Sequence, residues 1–156
     1  MIQKALRTAQ NYLPGGRDSR EAISRHLRRL RGRPHDPDFA ALRYFPPRQV
    51  LVDVGGNYGQ SIQSMRLMQP DAEIVSYEPN AELASKVARL FATDSRVTVR
   101  PYGLSDEAGI FDLYLPYYRK FAYPGLASVI SENAASMLLP AEALCLFVLK
   151  ACTSHA

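Results

Sequence analysis

Cysteine is scarce in this chain, which has 156 residues and only two cysteines, Cys145 and Cys152. The three histidines are scattered, and no pair of residues shows a metal-ligand spacing. The sequence therefore supports neither a zinc site nor a disulfide framework. We expect no bound metal and, as the default for a protein with few cysteines, a location in the reducing cytoplasm.

Long apolar runs are also missing, since no stretch approaches the ~20 residues that a membrane-spanning helix needs. Residues 1–16 lack the apolar core of a secretory signal. Hydrophobic residues nevertheless make up 47% of the chain, which is a globular composition and not a disordered one. We expect a folded domain without a membrane span.

Positive charge is concentrated in the N-terminal third. Residues 1–49 contain 11 Lys and Arg against 4 Asp and Glu, a net charge of +7, whereas residues 50–156 contain 8 against 11, a net charge of −3. Residues 1–48 are therefore predicted to form a basic helical segment, and residues 49–156 a separate domain.

One helix of the basic segment has a narrow apolar stripe, because Ile23, Leu27 and Leu30 recur at i, i+4 and i+7. Gly32 is expected to end it. Its arginines admit two interpretations: a patch for nucleic acid or acidic lipid, or a solvated helix whose apolar stripe packs on a neighbour. We favour the second, without a specific nucleic-acid partner, because no base-reading residue is interleaved. A second short helix is predicted over residues 36–45.

From residue 49 the pattern changes to alternating strands and helices. Strands are predicted at QVLVDVG, AEIVSYE and RVTVRPYGLS, with helices at YGQSIQSMRLMQ and NAELASKVARLFA. This order is typical of an α/β fold in which crossover helices join parallel strands. The alternation in AGIFDLYLP predicts a further strand, paired near the third.

Three glycines follow the first strand, Gly55, Gly56 and Gly59, at the sheet edge where α/β folds bind ligands. They are not a P-loop, because that motif needs a lysine and none occurs between Lys4 and Lys86. They also depart from the dinucleotide motif G-x-G-x-x-G. The preceding Asp53 would repel a pyrophosphate, whereas it suits a ligand that carries a positive charge.

The second strand ends at Glu78, where a carboxylate can accept hydrogen bonds from both hydroxyls of a ribose. A nucleoside with a cationic neighbour fits both acidic residues, and S-adenosylmethionine has this chemistry. The alternative is that the glycines make an ordinary turn and that Glu78 is only solvated.

Several motifs together resemble the FkbM-type methyltransferases of the S-adenosylmethionine-dependent, Rossmann-like superfamily. The resemblance covers VDVGGNYGQS, VSYEPN, VRPYGLSDEAGIFDLYLP and GLASV, about half of the chain. It implies a class I methyltransferase fold and methyl transfer to a hydroxyl of a sugar or another small molecule. Gly56 stands where the family often has alanine.

The resemblance also implies roles for individual residues. Asp53 and the loop with Gly55, Gly56, Asn57 and Gly59 would hold the methionine part of the cofactor, and Glu78 would bind its ribose. Asp106 would accept from the adenine amino group, although an aspartate there is also an ordinary turn residue. Asn80 is expected to cap a helix. The resemblance identifies no general base.

The family pattern continues beyond LCLFVLK with an acidic strand, where this chain reads ACTSHA. We therefore expect a sheet that is incomplete at its C-terminal end, as an early stop or a frameshift would produce. The alternative to an active enzyme is a truncated, catalytically inactive fragment that binds the cofactor, or a subunit that depends on a partner. An incomplete sheet edge also predicts self-association.

Overall fold

The computed structural model describes residues 16–47, 50–106, 108–118, 121–123, 127–130 and 144–155. They form an α/β structure with two sheets. The first sheet and its helices comprise α1 (Gly16–Leu30), a 3-10 helix (Pro37–Tyr44), β1 (Val50–Val54), α2 (Gln60–Met68), β2 (Glu73–Tyr77), α3 (Ala81–Leu90) and β3 (Val97–Arg100). The second sheet comprises β4 (Gly103–Ser105), β5 (Gly109–Tyr118), β6 (Phe121–Ala122) and β7 (Leu144–His155).

The first sheet has three parallel strands in the order β1-β2-β3. Leu51 lies opposite Ile74, and Ile74 lies opposite Val97, so alternate residues of the three strands line one face. This topology is the predicted strand–helix–strand–helix–strand unit, and it is compatible with a Rossmann-like core.

The core lies on the face that α2 and α3 cover. Ile62, Ile74 and Val87 are its fully buried centre. Partly buried apolar side chains pack around them, namely Leu51, Met65, Phe91, Val97 and Val99. The predicted apolar faces of the two helices therefore face the core, except that Leu90 at the end of α3 is 42% exposed.

The opposite face of β1 is open to solvent. Val50, Val52 and Val54 are 50%, 55% and 65% exposed, and β1 pairs only with β2 among the described strands. Among the described strands, an apolar strand therefore lies at an edge of this sheet.

The predicted third strand, residues 96–105, is divided between the two sheets, because residues 97–100 form β3 and residues 103–105 form β4. The fourth predicted strand does not pair with either part of it. The segment forms β5, which belongs to the second sheet and pairs antiparallel with β7 over ten residue pairs, from Gly109–Thr153 to Tyr118–Leu144. β7 is also parallel to β4, so the sheet order is β4-β7-β5-β6. β7 is the longer pairing partner for β5, because β7 has twelve residues and β3 has only four.

The ends of the N-terminal helices are close to those predicted. Gly32, at φ +58°, follows the last turn of α1 in the left-handed conformation that glycine favours. The predicted second helix is a 3-10 helix, and the Asp36 side chain caps it by accepting from the Asp38 N–H at 3.0 Å. Gln69 Nε2 donates to the Leu42 carbonyl at 2.8 Å, which ties this helix to the end of α2.

The predicted packing of α1 is wrong. Ile23, Leu27 and Leu30 are 61%, 43% and 71% exposed, so the apolar stripe faces solvent and not a neighbour. The polar side of the helix faces the protein, where Arg25 Nη1 donates to the Tyr58 carbonyl at 2.8 Å and Gln63 Nε2 donates to the Arg25 carbonyl at 3.0 Å. Two long polar side chains attach α1 to the first turn of α2 and the loop before it.

Candidate functional site

The glycine loop joins β1 to α2 at the carboxyl ends of the parallel strands. It folds back over β2, since the N–H groups of Gly55 and Gly56 both donate to the Tyr77 carbonyl, at 2.8 and 3.3 Å. Gly59 N–H closes the turn on the Gly56 carbonyl at 2.7 Å. The loop is therefore a fixed turn at the predicted ligand-binding edge.

Gly55 is the one of these three glycines that faces open space. Its φ is +83°, which other residues rarely adopt, and a Cβ atom built there would meet no atom within 4 Å. The backbone at Gly55 is thus accessible to a ligand.

The other two glycines make room for the protein itself. A Cβ at Gly56 would collide with the Ser76 hydroxyl and press on the Asp53 carboxylate. A Cβ at Gly59, at φ +78°, would lie 2.9 Å from the Phe91 ring just beyond α3. Open space therefore lies beside Gly55, whereas Gly56 and Gly59 are closely packed, and the expectation that the whole loop borders a ligand stays a prediction.

The Glu78 carboxylate joins the loops that follow β1 and β2. Its Oε2 accepts from the Asn57 N–H at 2.7 Å, and its Oε1 accepts from the Asn80 N–H at 2.9 Å. The side chain is only 6% exposed. A carboxylate offers about four acceptor positions, so two positions remain for a ligand's donors.

Burial raises the pKa of Glu78 above its ordinary value. The two backbone N–H groups, from Asn80 and Asn57, oppose this rise by stabilising the anion, and the nearby charge of Asp53 adds to it. The alternative in which Glu78 is merely a solvated strand-end residue is wrong, because the side chain is buried and bonded.

Asn57 has an unusual conformation and an unused acceptor. Its φ is +44°, and its N–H is held by Glu78. Its side-chain Oδ1 is buried and accepts no hydrogen bond from the described residues. Buried polar atoms in native proteins nearly always have a partner, so this oxygen calls for a donor from a ligand or from water.

Asp53 lies beneath the loop and not on its surface. It is 5% exposed, and its Oδ2 accepts from the hydroxyl of the fully buried Ser76 at 2.7 Å, on the neighbouring strand. Asp53 therefore contributes a buried negative charge on the helix-covered side of the sheet, directly under Gly56.

Asn80 has the predicted capping role. Its Oδ1 accepts from the N–H groups of Glu82 and Leu83, at 3.1 and 3.3 Å, in the first turn of α3. Because the Asn80 N–H also donates to Glu78, the cap of α3 and the glycine loop share one carboxylate.

Asp106 is separate from this cluster. It is exposed and accepts a hydrogen bond from the Ser105 hydroxyl at 3.0 Å. No hydrogen bond among the described residues links it to the glycine loop or to Glu78. The structure thus brings together Asp53, Gly55, Gly56, Asn57, Gly59 and Glu78, and leaves Asp106 as an exposed residue after β4.

Three neighbours of the site were not foreseen from the sequence. Arg25 contacts the loop from α1, and nothing in its helical spacing distinguishes it from the other arginines. Ser76 binds Asp53, and only the register of β1 and β2 reveals that the two are opposite. Tyr102 follows β3 and lies against Tyr77 with ring centroids 5.6 Å apart; an aromatic residue just past a strand end was the available signal.

A cavity of about 450 Å³ adjoins the glycine loop on the side that faces α1 and α3. It is bounded by α1, by the loop and by α3, and it is lined by Arg25, Asn57, Tyr58, Leu83, Lys86, Val87, Arg89 and Leu90. Asn57 is the site residue that it shares with the Glu78 cluster.

Two kinds of site are not found in the described part of the chain. No group of three or more His, Cys, Asp or Glu side chains there could hold a metal ion, and no described helix has the length and apolarity to cross a bilayer. A scan against protein-family models finds no match, and searches of curated proteins and of solved structures find none either.

Proposed function

We propose that this chain binds S-adenosylmethionine at the carboxyl ends of β1 and β2 and transfers its methyl group to a hydroxyl of a sugar or another small molecule. The observation that carries the proposal is the buried Glu78 carboxylate, which bridges Asn57 and Asn80 and keeps acceptor positions beside an open glycine backbone. The resemblance of the motifs to FkbM-type methyltransferases supports the same function.

The unused hydrogen-bonding groups at this edge are acceptors, and they favour a ligand rich in donors. Glu78 and Asn57 Oδ1 would face the ribose hydroxyls, and the buried charge of Asp53 would favour the cationic part of the cofactor. A phosphate would be repelled by the same carboxylates. The residues present therefore fit the cofactor better than they fit a nucleotide phosphate.

The cofactor supplies an activated methyl group on a sulfonium, which is already a good leaving group. The contribution of the chain is to hold and orient the ligand, because alignment of the reacting groups provides much of such a rate enhancement. A general base would help to remove the proton of the accepting hydroxyl, and the described residues do not identify it. The cytoplasmic location belongs to the same proposal.

Calorimetric titration with S-adenosylmethionine and with S-adenosylhomocysteine tests the binding site. Glu78→Gln should weaken binding about tenfold or more, since its amide nitrogen would face a backbone N–H in place of an acceptor. Gly55→Val should abolish binding, because a β-branched residue at φ +83° both strains the turn and fills the open space.

The control is Glu82→Gln, which alters an exposed carboxylate on α3 that is paired with Lys86. Thermal unfolding of each variant separates loss of binding from loss of fold. If wild type and Glu78→Gln bind the cofactor equally well, Glu78 does not bind the ribose. If the folded wild type does not bind the cofactor at all, the proposal is wrong.

A second candidate is a cofactor-binding subunit that turns over only with a partner or as an oligomer. The exposed valines of β1 favour it, because an apolar edge strand tends to pair with another chain. Methyl transfer from labelled cofactor to a panel of sugars, run beside a size measurement, distinguishes the two. A monomer that turns over would exclude the second candidate.

A further inference from the structure

The exposed apolar stripe of α1 is held outward by the contacts on the opposite side of the helix. Arg25 points inward and binds the Tyr58 carbonyl, and at about 100° of rotation per residue it lies nearly opposite the stripe. Ile23, Leu27 and Leu30 therefore stay exposed while α1 keeps its attachment to the loop.

Positive charge borders the stripe. Arg31 is exposed and lies beside the stripe, Arg29 is exposed farther round the helix, and Arg33 follows the helix end. In the described part of α1 from Ile23 onward no acidic residue occurs. The outward face is thus an aliphatic strip with basic margins, which we call the basic apolar face.

We propose that the basic apolar face of α1 docks on an anionic lipid surface. A basic amphipathic helix can lie in the plane of a membrane interface, with aliphatic side chains at the acyl boundary and arginines at the lipid phosphates. The positive charge beside the stripe favours an anionic lipid surface as the partner. Such a surface can cover the aliphatic side chains and neutralise the arginines at the same time.

Nucleic acid is complementary to the arginines of this face but not to its aliphatic side chains. A polyanion would neutralise the arginines but would leave three aliphatic side chains in water. A second copy of the chain would cover the stripe but would bring two sets of arginines together. Both are outcomes that the experiment must separate. The proposal is independent of the methyltransferase activity, since it uses no residue of the Glu78 cluster.

Flotation of the full chain with vesicles is the test. We expect binding to phosphatidylcholine vesicles that contain about 30 mol% phosphatidylserine, and at least about tenfold weaker binding to phosphatidylcholine alone. Ile23→Ser with Leu30→Ser should remove the stripe, and Arg29→Gln with Arg31→Gln should remove the margins. Each pair should weaken binding about tenfold or more.

The matched control is Arg96→Gln with Arg100→Gln, which removes the same charge at exposed positions around β3. It should bind vesicles as the wild type does. All substituted side chains are largely in solvent, so the variants should fold, and circular dichroism checks this.

A fluorescence measurement locates the contact, because the chain contains no tryptophan. Leu27→Trp should shift its emission to the blue when the anionic vesicles are added. Ile110→Trp, at a side chain 70% exposed on β5, should not shift.

Four results would overturn the proposal. The first is absence of binding to the anionic vesicles, and the second is equal loss in the Arg96→Gln, Arg100→Gln control, which would indicate net charge alone. The third is a change from dimer to monomer in Ile23→Ser, Leu30→Ser without vesicles, which would make the face a contact between copies of the chain. Binding of DNA that depends on the stripe would overturn it as well.

Discussion

Helices α1 and α3 carry the same apolar spacing with opposite results. Ile23, Leu27 and Leu30 on α1 and Leu83, Val87 and Leu90 on α3 both recur at i, i+4 and i+7. Leu83 and Val87 are 3% and 2% exposed, although Leu90 at the end of α3 is 42% exposed, whereas the three residues of α1 are between 43% and 71% exposed. The period establishes that a helix is amphipathic, but it does not establish that the apolar side is buried.

The difference follows from what each helix is connected to. α3 is a crossover between two paired parallel strands, so its apolar face must cover the sheet. No strand pairing constrains α1, and the contacts of Arg25 with Tyr58 and of Gln63 with Arg25 orient it instead. One helix is placed by burial of apolar surface and the other by polar side chains.

The largest expected effect comes from truncating equivalent leucines. Leu83→Ala should lower the free energy of unfolding by about 2 to 4 kcal/mol, because it leaves a cavity in the core. Leu27→Ala should cost much less, about 0.5 kcal/mol, because the residue is 43% exposed and its truncation leaves no enclosed cavity. Chemical denaturation of both variants measures the two changes in the free energy of unfolding. Equal losses would mean that the stripe of α1 is buried in solution and that the comparison is false.

A smaller effect is expected from the glycines that adjoin the two helices. Gly59→Ala should cost about 1 to 3 kcal/mol, because it adds a contact with Phe91 to an unfavourable positive φ. Gly32→Ala after α1 has the same backbone penalty but nothing within 4 Å, so it should cost less.

Adding Phe91→Leu to Gly59→Ala should recover part of the loss, since it removes the ring but not the backbone strain. Thermal and denaturant unfolding of the three variants measure these changes in the free energy of unfolding. If Gly32→Ala costs as much as Gly59→Ala, the close approach of the loop to Phe91 contributes nothing.

The smallest effect is on pH dependence. The α3 cap is joined to the glycine loop by Glu78, whose pKa is raised from 4.5 by burial, so the folded chain binds more protons than the unfolded chain above that pH. The contribution of Glu78 to stability is therefore largest at low pH and declines as pH rises to the folded pKa. The contact of α1 uses an arginine, which stays charged throughout this range.

The free energy of unfolding of wild type and of Glu78→Gln is measured from about pH 4 to pH 8. The stability of the wild type relative to Glu78→Gln should fall as pH rises. Arg25→Gln should shift stability by an amount that does not vary with pH. A constant difference for Glu78→Gln would show that burial does not perturb this carboxylate.

Much of the first sheet was predictable because it is local in sequence. The strands at residues 50–54, 73–77 and 97–100 and the helices between them follow from short runs with clear periods, and Asn80 was recognisable as a cap. The convergence of Gly55, Asn57 and Glu78 was also predictable, because parallel strands end at one edge.

Other features depended on contacts between distant segments. Whether a glycine faces a ligand or a side chain is decided by Ser76 and Phe91, which lie 20 and 32 positions after Gly56 and Gly59. The pairing of β5 with β7 was missed because alternation identifies a strand without identifying its partner. The assignment of Asp106 to the adenine pocket stays a prediction.

Local sequence patterns established the strands and helices of the first sheet and their parallel arrangement, but not the end of the third strand, because backbone preferences and apolar periods act over a few residues. Which side of each helix and strand is buried depended on contacts between segments that are distant in sequence. Val87 is enclosed by the sheet, Leu27 stays 43% exposed, and Glu78 is withdrawn from solvent between two loops. The physical reason is that burial belongs to a pair of surfaces, and the second surface lies elsewhere in the chain.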